Sequence, residues 1–212
     1  CRDCYRCVRV CPVKAVSIRD GQAAVDEHRC IGCGTCIREC PQKAKAYRRD
    51  IDRVRMLRDK QGTVLAASIA PSFAAVYNRW QRPRLAAALR RLGFAYVAET
   101  AVGAWLSAQE TARYIAAGGR GRIIGACPAV VSYVEKYRPG LLPELIPVAS
   151  PARAHARHIH DRLGDDVQVI FIGPCIAKKN EAARADAEGE IAQVLTFEEL
   201  DEWLGREGID LK

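Results

Sequence analysis

The sequence predicts an α/β protein in two parts: a small cysteine-rich module, then a larger domain built on a mostly parallel sheet. Three observations predict it. Eight of the ten cysteines fall within the first forty residues, in two copies of one spacing. From Thr63 onward, apolar runs of strand length alternate with runs of helical period. The links between them are short and punctuated by Pro and Gly, as parallel strands joined by covering helices require. A chain of 212 residues has room for the module and for one domain with its own core.

Cys1, Cys4, Cys7 and Cys11 are spaced C-x2-C-x2-C-x3-C, with Pro12 following, and Cys30, Cys33, Cys36 and Cys40 repeat the spacing, with Pro41 following. Two-residue gaps let the backbone curl round a 4Fe–4S cube, bring three thiolates to three irons and aim amides at the sulfurs. The proline after the fourth cysteine ends the curl. In pairs of this kind the fourth cysteine of each run ligates the other cube. Cys1, Cys4, Cys7 and Cys40 are therefore expected on one cluster, and Cys30, Cys33, Cys36 and Cys11 on the other. The competing reading is zinc held by C-x2-C pairs, but zinc needs four ligands and gives no reason for a third cysteine at the same gap, twice. A disulfide framework suits neither the regular spacing nor a chain without signs of secretion.

The elements follow in order. Residues 1–49 form a ferredoxin-like two-cluster module in which Ala15–Ile18 and Ala23–Val25 flank the turn Arg19-Asp20-Gly21-Gln22, a hairpin. Arg48–Lys60 carries Ile51, Val54 and Leu57 at helical spacing, so residues 50–62 read as a connecting helix with a solvated charged face. Residues 63–212 form the second domain. Thr63–Ile69 is a buried strand ending at Ala70-Pro71-Ser72. Helices are expected over Phe73–Trp80 and from Pro83 to Leu92, where Gly93 stops the second. Phe94–Ala98 is the next strand, Ala101–Ala117 a long helix, Arg122–Gly125 a third strand and Ala129–Tyr137 its helix. Pro139, Pro143 and Pro147 mark an irregular stretch. Pro151 opens a helix to Leu163, Val167–Ile172 is a strand, and a helix covers Ala177–Ala187. Ile191–Leu195 is a last strand and Phe197 opens a last helix.

The formal charge is +8, and two oxidised four-thiolate cubes would each bring about −2, leaving a moderate basicity near +4. That favours an acidic redox partner such as a ferredoxin or flavodoxin and is too small to indicate nucleic-acid binding. The arginines around 79–91 read as solvated or partner-docking. No apolar run is long enough to span a bilayer. The cysteine usage implies a reducing, anaerobic cytoplasm. The chain opens on Cys1, which reads as the start of a fragment.

Three strands end in a Pro-containing turn followed by a helix, at Pro71, Pro128 and Pro174, and two of these turns carry the remaining cysteines, Cys127 and Cys175. Ligands gather at the carboxyl ends of strands in open α/β sheets, and a helix N-terminus favours a thiolate. The two cysteines are either cluster ligands or buried structural thiols; local physics leaves both open. His155 and His158 share a helix face, and His160 lies near them, but the pair has no further ligand at hand.

Here the sequence resembles the [FeFe]-hydrogenase family. The family's T-S-C-C-P motif is matched by Gly125-Ala126-Cys127-Pro128-Ala129, with Tyr133–Tyr137 after it, and its P-C-x-x-K-x-x-E motif stands intact from Pro174 to Glu181. Ala70-Pro71-Ser72 is similar to a loop that places Pro71 and Ser72 near the diiron site. The resemblance implies that Cys127 and Cys175 ligate the 4Fe–4S cube of an H-cluster. It also implies that Lys178 hydrogen-bonds a diiron cyanide and that Glu181 ends the proton route. It adds another hydrogenase subunit to the expected partners and a further 4Fe–4S cluster or an H-cluster, in the full-length protein, to the expected cofactors.

The departures bear on activity. The family's proton-donor cysteine is Ala126, its two relay carboxylates fall at Thr111 and Tyr114, and its glutamine after Ser-Pro is Ala152. A positioned acid or base is worth roughly 10²–10⁴ in rate, so losing several leaves slow turnover. The third cysteine motif is not found, so this chain alone is not expected to hold a complete H-cluster. The resemblance thus implies an iron–sulfur redox protein that passes electrons through two clusters to a hydrogenase-like site, sensory or of low activity. Two alternatives compete: a catalytic oxidoreductase of the ferredoxin-dependent hydrogenase class using another proton path, and a non-catalytic electron relay or cluster-assembly protein.

Overall fold

The structure, a computed structural model, describes residues 1–211. Lys212, the last residue of the expected second domain, lies outside the described residues.

The module is two copies of one backbone path. Helix α1 (Arg6–Val10) and helix α2 (Thr35–Arg38) occupy corresponding places in the two cysteine runs. Positive φ falls at Asp3 and Tyr5 in the first run and at the matching Gly32 and Gly34 in the second, and again at Lys14 and Lys43 after each Cys-Pro. These left-handed residues turn the chain back between successive thiols. Strands β1 (Val16–Arg19) and β2 (Gln22–Val25) pair antiparallel, and positive φ at both Asp20 and Gly21 makes the two-residue turn the kind that suits twisted strands. Cys7, Cys11, Val13, Ala15, Val16 and Ile31 form the module's own small core.

Helix α3 (Ile51–Asp59) leads to the second domain. Its sheet has the order β4-β3-β7-β8, all parallel, formed by β3 (Leu65–Ile69), β4 (Phe94–Glu99), β7 (Gln168–Ile172) and β8 (Gln193–Leu195). β3 is buried along its whole length, as a central parallel strand should be. Ser68 turns its hydroxyl towards helix α8 (Pro151–Leu163), 2.7 Å from His155 Nδ1. Helix α6 (Ala101–Ala116) stacks on α8, and Gly103 permits it: a Cβ there would lie 2.0 Å from the Pro151 carbonyl oxygen. Elsewhere Phe94 meets Trp203 of helix α10 (Phe197–Arg206) edge-on at 5.9 Å, and α10 also packs on α3. Helix α5 (Arg82–Arg91) contributes Leu85, Ala88 and Leu89 to the same core.

Three sequence expectations change. Helix α4 (Phe73–Val76) stops before Tyr77, whose extended backbone ends it, rather than reaching Trp80. The third strand is only β5 (Ile123–Ile124), and it does not join the main sheet. It pairs with β6 (Leu145–Ile146), hidden in the proline-rich stretch after helix α7 (Pro128–Tyr137). Helix α9 (Ala177–Ala182) is shorter than expected and gives way to a 3-10 turn at Ala185–Ala187.

Candidate iron–sulfur and hydrogenase-like site

One of the two four-thiol sets expected from the spacing lines a common cavity. Cys1, Cys4, Cys7 and Cys40 line one small cavity, whose walls are all module residues. Cys1 and Cys4 are exposed, so this end of the module faces solvent. Cys30 and Cys36 open instead onto a cleft of about 1010 Å³ between the module and the second domain. Burial pushes the Cys36 thiol up, Lys45 opposes it, and Cys30, Cys33 and Cys11 add to the rise from nearby.

Backbone amides meet the sulfurs. The N–H of Ala15 donates to Cys11 Sγ at 3.2 Å, and that of Ala44, its counterpart in the second run, donates to Cys40 Sγ at 3.3 Å. Gly32 N–H donates to Cys30 Sγ at 3.4 Å. The amide of Ala44, and more weakly those of Gln42 and Lys45, hold the Cys40 thiol below its ordinary value against burial. Convergent thiols, amides aimed at sulfur and a curled backbone are the donor set a 4Fe–4S cube needs. Among the described residues no three His, Cys, Asp or Glu side chains close on one point suited to a single ion.

The second curl rests on the larger domain. A Cβ on Gly32 would lie 2.6 Å from Asn180 Nδ2, and one on Gly34 would lie 3.0 Å from Ile176 Cδ1. Lys136, near the end of α7, donates to the carbonyls of Cys30 at 2.6 Å and Glu27 at 3.1 Å. Tyr137 beside it donates to the carbonyl of Arg29 at 2.7 Å. The N-cap of this same helix is Cys127. A ten-residue helix is about 15 Å long, so α7 is a strut of that order between Cys127 and the second cysteine run.

Cys127 is exposed and Cys175 half-buried. Lys178 ties their turns together. Its Nζ donates to Glu181 Oε2 at 2.7 Å, to Ser150 Oγ at 3.0 Å and to the carbonyl of Ala126 at 3.3 Å. An ammonium has three N–H groups, and all three face acceptors here. Thr111 donates to the carbonyl of Ser107 and Tyr114 to that of Arg120. Pro71 and Ser72 lie beside Gly173, since the N–H of Ala70 donates to the carbonyl of Ile172 and a Gly173 Cβ would meet Ala70 Cβ at 2.9 Å. Neither lines the cleft.

The histidines have other tasks. His155 is fully buried against Ser68, stacks on His158 and is pushed down to about 4 by burial first and His158 second. His160 faces the carbonyl of Glu190. Sequence reasoning missed Ser150 as a partner of Lys178, and also Lys179. Lys179 lies next to the recognised lysine and is buried against Asp50 and Glu199.

Paired four-cysteine curls joined to a parallel α/β sheet define an iron–sulfur protein. Residues 1–44 match the family described as a 4Fe-4S dicluster domain. Residues 63–212 match the iron only hydrogenase large subunit, C-terminal domain, and the chain belongs to that family. Among curated proteins it is similar to the cytosolic Fe-S cluster assembly factor NAR1 of Eremothecium gossypii, with 35% identity over 124 residues, covering 56% of this chain and 27% of that protein. The NAR1 of Vanderwaltozyma polyspora is 33% identical over 96 residues, covering 45% and 18%. The chain thus spans about a quarter or less of the length of these relatives. Among solved structures, one [FeFe]-hydrogenase, studied for oxygen inactivation of the H cluster, matches with a TM-score of 0.64 and 22% identity over 77% of this chain and 49% of that chain. The [FeFe]-hydrogenase HydA1 from Chlamydomonas reinhardtii matches with a TM-score of 0.62 and 24% identity, covering 76% and 47%. At that identity the likeness establishes the fold. Among the described residues no helix is long and apolar enough to cross a membrane.

Proposed function

We propose that the protein is a non-catalytic member of its family: an electron relay serving iron–sulfur cluster assembly. The observation that carries this reading is Lys178. Its three donors are spent on Glu181, Ser150 and Ala126, so none is left for a diiron cyanide. The positions that match the family's proton relay do not suit a diiron subsite either. Ala126 cannot donate a proton, and Thr111 and Tyr114 are engaged with backbone carbonyls. The likeness to NAR1, named a cytosolic assembly factor, supports the same reading and a cytoplasmic location.

In this role Cys1, Cys4, Cys7 and Cys40 hold the outer cube, and Cys11, Cys30, Cys33 and Cys36 hold the inner one. When bound, the pair supplies one-electron storage and transfer. The amides of Ala15, Gly32 and Ala44 soften the thiolate charge. Exposed Cys1 and Cys4 offer the outer end to a donor such as a ferredoxin or flavodoxin, while Lys136 and Tyr137 fix the inner end against the domain. Cys127 and Cys175 stand at the receiving side as two thiolates towards a further cluster.

The experiment is anaerobic reconstitution, exposure to hydrogenase maturases, and infrared spectroscopy. Two cubes are expected with no cyanide or carbonyl bands, no hydrogen evolution, and electron delivery that supports cluster formation on an apo 4Fe–4S recipient. Cyanide and carbonyl bands would overturn the reading. The sensory reading ranks second, on the intact motif from Pro174 to Glu181, and hydrogen-dependent spectral change in the loaded protein would favour it.

A further inference from the structure

The two cysteine runs share a backbone path but not their charges. Lys45 shows it most clearly. It lines the cavity of Cys1, Cys4, Cys7 and Cys40, and it also lines the cleft onto which Cys30 and Cys36 open. Its side chain is half-buried and fixed, with Nζ donating to the carbonyl of Ala23 on β2 at 2.7 Å. The matching residue of the first run is Val16, packed with Cys7 and Cys11 in the module core. The first run thus has an aliphatic side chain where the second has one anchored cation.

Two four-thiolate cubes are anionic, and each reduction adds one electron. A first electron makes the second harder to add through repulsion across a low-dielectric gap. A fixed cation on a residue that lines both sites favours the reduced state of each and so offsets that repulsion. Being half-buried and hydrogen-bonded, it is screened by salt less than a free surface lysine.

We infer that Lys45 is the shared counter-charge of the two clusters, a positioning residue that raises both reduction potentials and lets both cubes hold an electron together. Its ammonium donates to the Ala23 carbonyl rather than to a thiol, and acts through its field.

The test is a redox titration of the reconstituted chain, followed by electron paramagnetic resonance, with dithionite and mediators supplying the electrons. Wild type, Lys45→Met, Lys45→Arg and Lys60→Gln are compared at equal iron and sulfide content. In Lys45→Met both potentials should move negative, and the spin-coupled signal of the doubly reduced protein should appear only at lower potential. Lys45→Arg should restore both, and Lys60→Gln should move neither. If Lys45→Met fails to load, Lys45→Gln is the deciding variant, because its amide can still donate to Ala23. Potentials unchanged in the neutral variant, a shift in one cluster alone, or a shift that Lys45→Arg does not reverse would overturn the assignment.

Discussion

Lys179 Nζ lies 2.8 Å from Asp50 Oδ2, and the two residues join the helix that follows Cys175 to the N-cap of the helix that leaves the cysteine module. Glu199 completes the group at 2.9 Å from the same ammonium, and all three side chains are buried. Nothing in the group is left idle. Glu199 also accepts from the amides of Asp50 and Thr196, and Lys179 donates to the carbonyl of Val194. Replacing one partner of such a group strands the others, at roughly 3–5 kcal/mol. Lys179→Met should therefore lower unfolding free energy by about that much in chemical denaturation. Lys179→Met with Glu199→Gln should recover part of the loss, since Asp50 keeps Arg48 at 2.9 Å and Arg53 at 3.5 Å while Glu199 is the charge left buried.

The crossing of ligands between the runs makes a second prediction. Cys40 lines the cavity of Cys1, Cys4 and Cys7 although it belongs to the other run. Cys40→Ala should cost about half the iron and leave the other cluster's paramagnetic signal unchanged. Loss of the cluster at Cys30, Cys33 and Cys36 would contradict the pairing.

His155 makes stability depend on pH. Burial and His158 push it from 6.5 to about 4, so the unfolded chain takes up its proton before the folded one does. The contribution is whole above the unfolded value and is lost as pH falls from there towards 4. Between pH 7.5 and 5 the folded protein should lose on the order of 2 kcal/mol relative to a His155→Gln variant. Referring wild type to the variant cancels the acid sensitivity the clusters give to both. Parallel stability curves for the two proteins would refute this.

Gly103 is the point where α6 comes nearest to α8. A Cβ would fall 2.0 Å from the Pro151 carbonyl oxygen and 2.6 Å from His155 Cβ, both parts of a packed helix that cannot yield cheaply. Gly103→Ala should destabilise the protein by about 1–3 kcal/mol or more. A melting temperature equal to wild type would mean the two helices separate freely.

What the sequence made legible was what it encodes locally. The thiol sets are read from spacing because all eight cysteines lie within two short runs. β3 and β7 are read from apolar runs bounded by Pro and Gly, and the hairpin from Asp20-Gly21. The Lys179 group was not legible, because Asp50, Lys179 and Glu199 are far apart in the chain and each looks like an ordinary surface charge. Strand β5 was legible as extended chain but not in its pairing, since two residues carry no register and β6 lay inside a proline-rich stretch. The histidines share a helix face by their spacing, and the sequence already argues against a metal there because no further ligand is at hand. What it could not show is that His155 meets Ser68, on a strand whose facing side the pattern of the helix does not reveal.

Gly32 tests how the module rests on the domain. Its φ is +69°, so Gly32→Ala costs about 1–2 kcal/mol for the left-handed backbone wherever the residue lies. The new Cβ would also meet Asn180 Nδ2 at 2.6 Å, but that atom is the end of a flexible, exposed side chain. The two effects separate in a double variant. Asn180→Ala should remove the clash and leave the backbone strain, so Gly32→Ala with Asn180→Ala should be more stable than Gly32→Ala alone. It should remain less stable than Asn180→Ala. If the second substitution recovers nothing in chemical denaturation, the curl holding Cys30 and Cys33 does not press on the helix after Cys175, and the contact proposed to pass electrons inward is loose.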